Sequence, residues 1–331
     1  MMQGCENPQT KALRRRAPHV SYQPAEALTN ASHAPHTLAL FTFDNSPTTT
    51  GHPLEVRVPL ECLGVAPPVE IWEVDAPVSR GMDDTLRWSA GAGWLFAVIE
   101  LDEREYGGPI ATARMAYERL HRFVSSRAEH HVLRVWNYLD AINQGDGDSE
   151  RYKLFCSGRV SGMGDFFAEG FPAATAIGHN GPVHLLQVYL LACDQPGTRV
   201  ENPRQVSAWH YPREYGRTPP SFARAMTLPA QDVLAISGTA AVVGHRSAHQ
   251  NDLDAQLEET LTNLDALLTS AGMPASFDAQ SPLKVYVRHR AEAAHVRDFL
   301  QRRLPNVPLL LLHGDVCRRE LLVEIDGWRY A

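Results

Sequence analysis

The stretch Ser237–Leu268, SGTAAVVGHRSAHQNDLDAQLEETLTNLDALL, decides the fold of this chain. The apolar run Val233–Ile236 comes directly before it and is typical of a buried strand. Asp252 is a good N-cap residue for a helix that starts at the next position. Five leucines spaced by 4, 4, 3 and 4 residues form one apolar stripe on that helix: Leu253, Leu257, Leu261, Leu264 and Leu268. The stretch therefore predicts a strand–turn–helix unit in a globular α+β protein.

Length and composition favour an enzyme of two domain-sized units. The chain has 331 residues, 44% of them hydrophobic and 21% charged, which is enough to bury a sizeable core. Its net charge of −7 argues against a general nucleic-acid binder, although a locally positive pocket can still hold an anion. The polar N-terminus leads into Arg14–Arg16, and no apolar run is long enough to span a membrane. We therefore expect a cytoplasmic protein with neither a nucleic-acid nor a membrane partner.

The cysteine and histidine patterns predict neither a metal site nor a cofactor. The five cysteines are widely scattered: Cys5, Cys62, Cys156, Cys193 and Cys317. They form no C-x-x-C pair, and the fifteen histidines contain no H-E-x-x-H helix motif. Reduced thiols are the simplest interpretation.

The order of predicted elements suggests a diverged duplication. After a polar tail at 1–36, expected to be flexible, a first unit is predicted at 37–194 and a second at 233–331. The first unit is predicted to contain the strands Leu38–Phe43, Trp94–Leu101, Val132–Leu139 and His184–Leu191, with helices from Ala113 to Val124 and from Arg151. The second is predicted to contain strands around 233–243, 283–287, 307–312 and 320–325, the leucine-stripe helix and a helix through Val296 and Leu300. Each half reads as β-β-α-β-α-β with helices on one face.

The connection between the two units, 195–232, is dense in proline and predicted to be irregular. It also carries Tyr211, Tyr215, Phe222 and Arg224. A plain linker rarely holds so many aromatic side chains, so part of this segment is expected to pack over a pocket.

Several blocks of sequence carry a resemblance to known families. The Ser237–Ala240 block and the helix after it resemble the Rid family of reactive-intermediate deaminases. The blocks RVWNY (Arg134–Tyr138), RYKLFCSGR (Arg151–Arg159) and CRRELLVEI (Cys317–Ile325) resemble the chorismatases, which remove the enolpyruvyl group of chorismate as pyruvate. The likeness runs from about Leu38 to Trp328. It implies two diverged Rid-like units in a pseudo-trimeric architecture, with an internal cleft in a monomer or weak oligomer.

Chorismate chemistry requires a general acid, because its vinyl ether is cleaved after the terminal methylene group is protonated. A buried carboxyl group with a raised pKa meets that requirement. Strand alternation places Leu322, Glu324 and Asp326 on one face of the predicted strand. By pattern alone Glu324 would face water. The resemblance instead implies that Glu324 is the general acid and base.

The two carboxylates of chorismate require guanidinium partners, because arginine pairs bidentately with a carboxylate. The resemblance implies Arg159 as an anchor, with Arg288 and Arg224 as further candidates. A surface position for Arg159 and a rim salt bridge for Arg288 are the alternatives. Tyr138, Tyr152 and Tyr215 are candidates for hydrogen bonds to substrate, with core packing as their alternative. Asn137 either orients a catalytic group or caps a strand end; these four complete the predicted binding set.

Product choice is assigned by resemblance to Cys317 and Ala240. Water attack on the activated ether yields pyruvate and a dihydroxycyclohexadiene carboxylate, whereas the same substrate without net water uptake yields pyruvate and a hydroxybenzoate. The pair resembles bacterial enzymes that form both 3- and 4-hydroxybenzoate, which implies a role in pigment or ubiquinone biosynthesis. The alternatives are hydrolysis to the dihydrodiol, an imine deaminase of the Rid kind, and a binding protein without catalysis.

Overall fold

A computed structural model describes residues 16–44, 55–64, 66–181, 184–229 and 232–331. The strands up to the first long helices are β1 (His19–Gln23), β2 (Thr37–Phe43), β3 (Glu55–Val58), β4 (Glu61–Cys62), β5 (Val69–Glu73), β6 (Ser79–Asp83), β7 (Leu86–Gly91) and β8 (Trp94–Asp102). The later strands are β9 (His131–Asp140), β10 (Ala173–His179), β11 (Leu185–Cys193), β12 (Thr198–Val200), β13 (Ala225–Thr227), β14 (Val233–Thr239), β15 (Val242–Val243), β16 (Arg246–Ser247), β17 (Leu283–Val287), β18 (Leu309–His313), β19 (Asp315–Val316) and β20 (Val323–Tyr330). The helices are α1 (Ala27–His33), α2 (Glu103–Tyr106), α3 (Pro109–Ser125), α4 (Arg151–Met163), α5 (Leu253–Ser270) and α6 (Ala293–Arg303).

Three sheets contain most of these strands. The first sheet has the order β1-β5-β2-β3, the second β19-β10-β9-β11-β8-β7-β6, and the third β12-β13-β14-β20-β17-β18-β4. In the second sheet β10 is parallel to β9, and β11 is antiparallel to both β9 and β8. In the third sheet β18 is parallel to β17, and β20 is antiparallel to both β17 and β14. The run β10-β9-β11-β8-β7 thus has the same topology as β18-β17-β20-β14-β13, which confirms the predicted duplication of the fold.

The inner faces of all three sheets share one core. Each sheet contributes large aromatic side chains to it, among them Phe41, Trp72, Trp136, Tyr189, Tyr286 and Trp328. The outer faces are covered by helices: α1 packs on the first sheet, α3 and α4 on the second, and α5 and α6 on the third. Three helix-covered sheets around one centre fit the predicted pseudo-trimeric α+β architecture.

The leucine-stripe helix forms as predicted, because its N-cap residue and its apolar stripe both favour a helix over the same residues. The Asp252 side chain accepts a hydrogen bond from the Ala255 backbone N–H at 3.0 Å. Leu257, Leu264 and Leu268 are fully buried against the third sheet. Burial of one such side chain stabilises the fold by about 1.5–3 kcal/mol.

Close contact between α3 and α4 explains the glycines of that pair. Gly158 and Gly162 of α4 lie directly against the backbone carbonyls of Ile110 and Arg114. A Cβ atom at either glycine would overlap the α3 backbone, so any larger residue would push the two helices apart. The RYKLFCSGR block is therefore constrained first by helix packing.

Three predictions about the first half need correction. The strand at Leu38–Phe43 exists, but it belongs to the first sheet, and β7 takes its place in the repeat. Strand β10 was not predicted at all. Residues 19–23 and 27–33 form β1 and α1, so the flexible tail is wrong there; residues 1–15 lie outside the described ranges.

The sheets exchange edge strands across the predicted unit boundaries. Strand β4 pairs with β18 in the third sheet, and β19 pairs with β10 in the second. The connection at 195–232 is not wholly irregular, because β12 and β13 extend the third sheet. The division into 37–194, 195–232 and 233–331 therefore stays a prediction about domains. Within the described ranges, no helix is both long and apolar enough to cross a membrane.

Candidate active site

A cavity of about 250 Å³ lies where the second and third sheets meet. Its walls come from α4 and β10 on one side and from β14 and β20 on the other, with residues 317–321 at one end. Residues 205–224, here called the strap, cover it and contribute Tyr211 and Phe222. Eight of the ten predicted site residues line this cavity: Glu324, Cys317, Ala240, Arg159, Arg224, Tyr152, Tyr215 and Asn137.

Glu324 projects from β20 toward the interior and not into water, because its neighbours Val323 and Ile325 pack on the helix side. The residue is 5% exposed, and its carboxyl group forms no hydrogen bond with any described residue. Burial, and then the nearby Asp326, raise the pKa of Glu324 to about 8, against the opposing effect of Arg134, Arg224 and Arg318. Glu324 is therefore a protonated acid at neutral pH.

A β-bulge makes room for this carboxyl group. The pairing of β14 with β20 shifts between Ile236 and Thr239, so β14 has one extra residue there. A Cβ atom on Gly238 would collide with Glu324 Oε1, so a larger residue here would displace the carboxyl group from its present position. The Gly238 N–H donates to Thr175 Oγ1 at 3.0 Å, which fixes the bulge to β10. The Ser-Gly-Thr block thus shapes the site through its backbone.

Arg159 is a buried guanidinium with free donors. It reaches the cavity from α4, is 4% exposed, and donates through Nη1 to the Ser221 carbonyl at 2.6 Å. Its Nε and Nη2 are buried and meet no acceptor among the described residues. Its guanidinium lies 5.0 Å from the centroid of the Tyr117 ring. Such unpaired buried donors cost free energy unless an acceptor fills the cavity.

Two more arginines approach the cavity from the strap side. Arg224 donates to the Val206 carbonyl at 2.8 Å and to the Tyr211 hydroxyl at 2.7 Å, and its buried Nε meets no acceptor within the described ranges. Arg318, which the sequence interpretation missed, lies 4.1 Å from the centroid of the Tyr215 ring. The RR pair in CRRELLVEI was the only available signal for Arg318. Together with Arg159 they place three guanidinium groups around a cavity that Glu150, Glu214 and Glu320 also line.

The strap packs over the cavity as predicted. Its two short 3-10 turns, 208–210 and 213–215, bring the rings of Tyr211 and Tyr215 to a centroid distance of 5.2 Å, with the rings tilted by 46°. Arg213 holds the outer side of the strap through two hydrogen bonds to Asp148, at 2.8 and 2.7 Å. The aromatic content of the connection was therefore a valid signal for pocket formation.

Neutral thiols and small residues line the cavity near the acid. Burial, followed by the proximity of Glu324, raises the pKa of Cys317 to about 12, and burial likewise raises the pKa of Cys156 to about 12. Ala240 packs with Val316 and Leu321 beside Cys317. The four cysteines within the described ranges are free thiols, and the same ranges hold no cluster of three or more metal-ligating side chains.

Asn137 and Tyr152 line the second-sheet side of the cavity. The Asn137 amide accepts from the Tyr117 hydroxyl at 2.6 Å and donates to the Thr175 carbonyl at 2.9 Å. These bonds engage Asn137 in support of β10. The Tyr152 ring lies 6.4 Å from that of Phe155, and burial raises the pKa of Tyr152 well above its usual value.

Two predicted binding residues lie elsewhere. Tyr138 is fully buried in the shared core, where its hydroxyl lies 3.3 Å from that of Tyr189 and 3.1 Å from that of Tyr286. Arg288 donates to Asp315 and to the carbonyls of the 316–321 loop, so it fixes the loop that carries Cys317. Neither side chain lines the cavity, and their prediction as direct substrate contacts is wrong.

Comparison with known proteins identifies the family. The chain is 32% identical over 295 residues to a 3-hydroxybenzoate synthase of Streptomyces hygroscopicus, covering 84% of this chain and 85% of the relative. The chain belongs to the chorismatase family. A chorismatase of the same organism is 36% identical over 276 residues, 78% of each chain. The family model "Chorismatase FkbO/Hyg5-like, N-terminal" matches residues 70–192.

The structure of a solved chorismatase also matches nearly the whole chain. Its crystal structure superposes with a TM-score of 0.85 at 29% identity, covering 96% of this chain and 99% of that one. The shared chorismatase fold therefore includes both duplicated sheets and the cleft between them.

Proposed function

We propose that this chorismatase binds chorismate in the cleft and releases its enolpyruvyl group as pyruvate, leaving 3-hydroxybenzoate, 4-hydroxybenzoate or both. The observation that supports this best is one cavity that holds a protonated, hydrogen-bond-free Glu324 and an Arg159 with two unpaired buried donors. An acid-labile dianion supplies a carbon that can take the proton of Glu324 and a carboxylate that can accept hydrogen bonds from Arg159. The names of the relatives point to the same substrate.

Binding begins with the two carboxylates of chorismate. The unpaired Nε and Nη2 of Arg159 form a fork that can hold one carboxylate bidentately. Arg224 and Arg318 lie toward the strap and can neutralise the second. The rings of Tyr211 and Tyr215 then cover the bound substrate and exclude water.

Glu324 can act as the proton donor because its carboxyl group is protonated at neutral pH. Its carboxyl group donates a proton to the terminal methylene carbon of the enolpyruvyl group, which becomes a methyl group. The adjacent carbon becomes oxocarbenium-like, and Glu324 becomes a carboxylate able to take a proton from the attacking group. Arg224 and Arg318 stabilise that carboxylate, because both act electrostatically to favour the ionised form.

The nucleophile decides the product. Attack by water gives pyruvate and the dihydroxycyclohexadiene carboxylate, whereas pyruvate plus a hydroxybenzoate accounts for every atom of chorismate without added water. Ala240 and Cys317 narrow the cavity beside Glu324, and the neutral Cys317 thiol does not compete as a base. We assign them to steering the intermediate toward hydroxybenzoate, the class of acid used for aryl pigments and ubiquinone.

The test is to incubate the purified protein with chorismate, assay pyruvate, and separate the products by chromatography against 3-hydroxybenzoate, 4-hydroxybenzoate and the dihydrodiol. We expect equal amounts of pyruvate and hydroxybenzoate. The dihydrodiol as sole ring product would make the protein a hydrolytic chorismatase. Intact chorismate, with ammonia released from imine substrates, would overturn the proposal in favour of a deaminase.

A further inference from the structure

Two carboxyl groups share one face of β20, and their surroundings differ sharply. Glu324 and Asp326 are separated by one residue, so their Cα atoms lie about 7 Å apart along the strand. Both are almost fully buried. Glu324 forms no hydrogen bond with the described residues, whereas Asp326 Oδ2 lies within hydrogen-bond distance of four separate donors.

Three of the four donors around Asp326 have a fixed direction, and the fourth, the Tyr286 hydroxyl, also lies 3.1 Å from the Tyr138 hydroxyl. The Arg134 guanidinium and the Trp136 indole N–H, each 3.0 Å away, can only donate. Thr175 Oγ1 accepts from Arg134 at 2.5 Å and from the Gly238 N–H at 3.0 Å, so its own hydrogen points at Asp326 Oδ2, 2.7 Å away. The Tyr286 hydroxyl donates from 3.0 Å. The other oxygen, Oδ1, is buried and meets no partner among the described residues, so a proton placed there would gain no acceptor.

Resting on the proposed function, we infer that Asp326 is the positioning residue of the catalytic acid: fixed as a carboxylate by four donors, it keeps the neighbouring Glu324 protonated at neutral pH. A carboxylate this close in a buried site disfavours a second negative charge, and Glu324 has no hydrogen-bond donor to offset that effect. Glu324 is left to carry the proton that the reaction needs.

Other charged groups around Glu324 act in the opposite direction. Arg134 on β9, Arg224 beside β13, Arg318 in the loop before β20 and Arg288 after β17 all favour its ionised form. Cys317 and Tyr152 are neutral neighbours, because burial raises the pKa of each. Asp326 opposes these arginines: after burial, its charge does most to raise the pKa of Glu324, and Glu150, Glu214 and Glu320 also line the cavity.

The first test is the pH dependence of kcat/KM for pyruvate release. In the wild-type protein we expect activity to fall as the pH rises through about 8, the pKa of Glu324. Asp326→Asn should move that midpoint down by about one to two pH units, the size expected when the Cα spacing of about 7 Å is taken as the separation of two unit charges at an effective dielectric constant near 20. Asp278→Asn is the matched control, because it removes a carboxylate paired with Arg329 of the same strand; its midpoint should not move.

Asp326→Asn removes the carboxylate partner of the buried Arg134 and could fail to fold. The double variant Asp326→Leu, Arg134→Met removes the buried pair together, a replacement that proteins often tolerate. Because it loses a guanidinium as well as a carboxylate, its midpoint should lie between those of the wild type and Asp326→Asn. A midpoint equal to that of the wild type in whichever variant folds would overturn the inference.

A second readout does not depend on turnover. Adding Glu324→Gln to each background and following the difference in melting temperature with pH reports where Glu324 ionises in the folded protein. We expect this difference to level off near pH 8 in the wild-type background and at a lower pH once Asp326 is replaced. If this titration moves while chorismate is not consumed, the inference stands and the proposed function fails. If chorismate is cleaved but the titration does not move, the proposed function stands and the inference about Asp326 fails.

Discussion

The second and third sheets share a topology, but two matched positions of one strand carry side chains of different chemistry. Opposite the middle of β9, the strand β11 presents Tyr189 and Leu191, both part of the shared core. Opposite the middle of β17, the strand β20 presents Glu324 and Asp326. The same scaffold therefore supports aromatic packing in one copy and an acid pair in the other. The shared fold therefore does not by itself determine the chemistry of these positions.

The second and third sheets contribute different residues to the site. The second sheet contributes Arg159, through α4, and the supporting Thr175 of β10. The third contributes the acid Glu324 and the bulged glycine beside it. The cleft thus needs both sheets, so damage to either should affect a different kinetic constant.

The largest expected effect comes from replacing the acid. Glu324→Gln keeps the shape of the side chain but cannot donate a proton in the same way, so turnover to pyruvate should fall at least ~100-fold. Tyr189→Phe, at the corresponding position of β11, should leave turnover within about threefold of the wild type. Equal losses in the two variants would mean that the sheets are not functionally distinct.

The next effect concerns anchoring. Arg159→Ala should raise KM by roughly 10- to 150-fold, the equivalent of a charge-assisted hydrogen bond worth about 1.5–3 kcal/mol. Arg288→Ala should instead lower the melting temperature, because it releases the loop that carries Cys317. Steady-state kinetics and thermal melting of both variants separate binding from scaffolding. An unchanged KM in Arg159→Ala would remove that residue from the site.

Stability should also depend on pH through Glu324. In the unfolded chain Glu324 ionises near its usual pKa of 4.5, whereas in the folded protein it holds its proton up to about pH 8. Between these values the folded state binds more protons, so its free energy of unfolding falls as pH rises, by at most about 1.4 kcal/mol per pH unit from this residue. Glu324→Gln should therefore be more stable than the wild type, increasingly so up to pH 8. Urea unfolding across this range measures the difference, and a constant difference would contradict the raised pKa.

The smallest expected effect concerns the two thiols that line the cavity, for which we expect different roles. Cys317→Ala opens space beside Glu324, so we expect continued pyruvate release with less 3-hydroxybenzoate and more 4-hydroxybenzoate or dihydrodiol, by a few-fold. Cys156→Ala, on α4, should keep the product ratio and lose about 1 kcal/mol of stability. Product ratios and melting temperatures from the same samples distinguish steering from packing. An unchanged ratio in both would place product choice elsewhere, for example at Tyr215.

Much of this site was predictable because sequence patterns report which way a strand residue points. Alternation placed Glu324 and Asp326 on one face, and the structure confirms it. The same rule explains a failure: Asn137 and Tyr138 are adjacent on β9, so they face opposite sides and could not both enter one cavity. Tyr138 points into the shared core instead.

Other features were beyond the sequence for physical reasons. Strand β10 consists of AATAIGH, whose alanine and glycine have weak strand propensity, and tertiary pairing with β9 decides its state. The strand at Leu38–Phe43 was recognised, but no local pattern states which sheet a strand joins. Arg288 and Arg159 looked alike as arginines near element ends, and only their partners distinguish a loop anchor from a free guanidinium.

The most direct test of the central claim is a crystal structure of Glu324→Gln with chorismate bound. The account predicts a substrate carboxylate on the free Nε and Nη2 of Arg159. It also predicts the enolpyruvyl methylene carbon within about 3.5 Å of the side chain at position 324, the separation at which atoms are poised to react. Chorismate bound outside the cleft between the two sheets, or bound there with its enolpyruvyl group directed away from position 324, would contradict it.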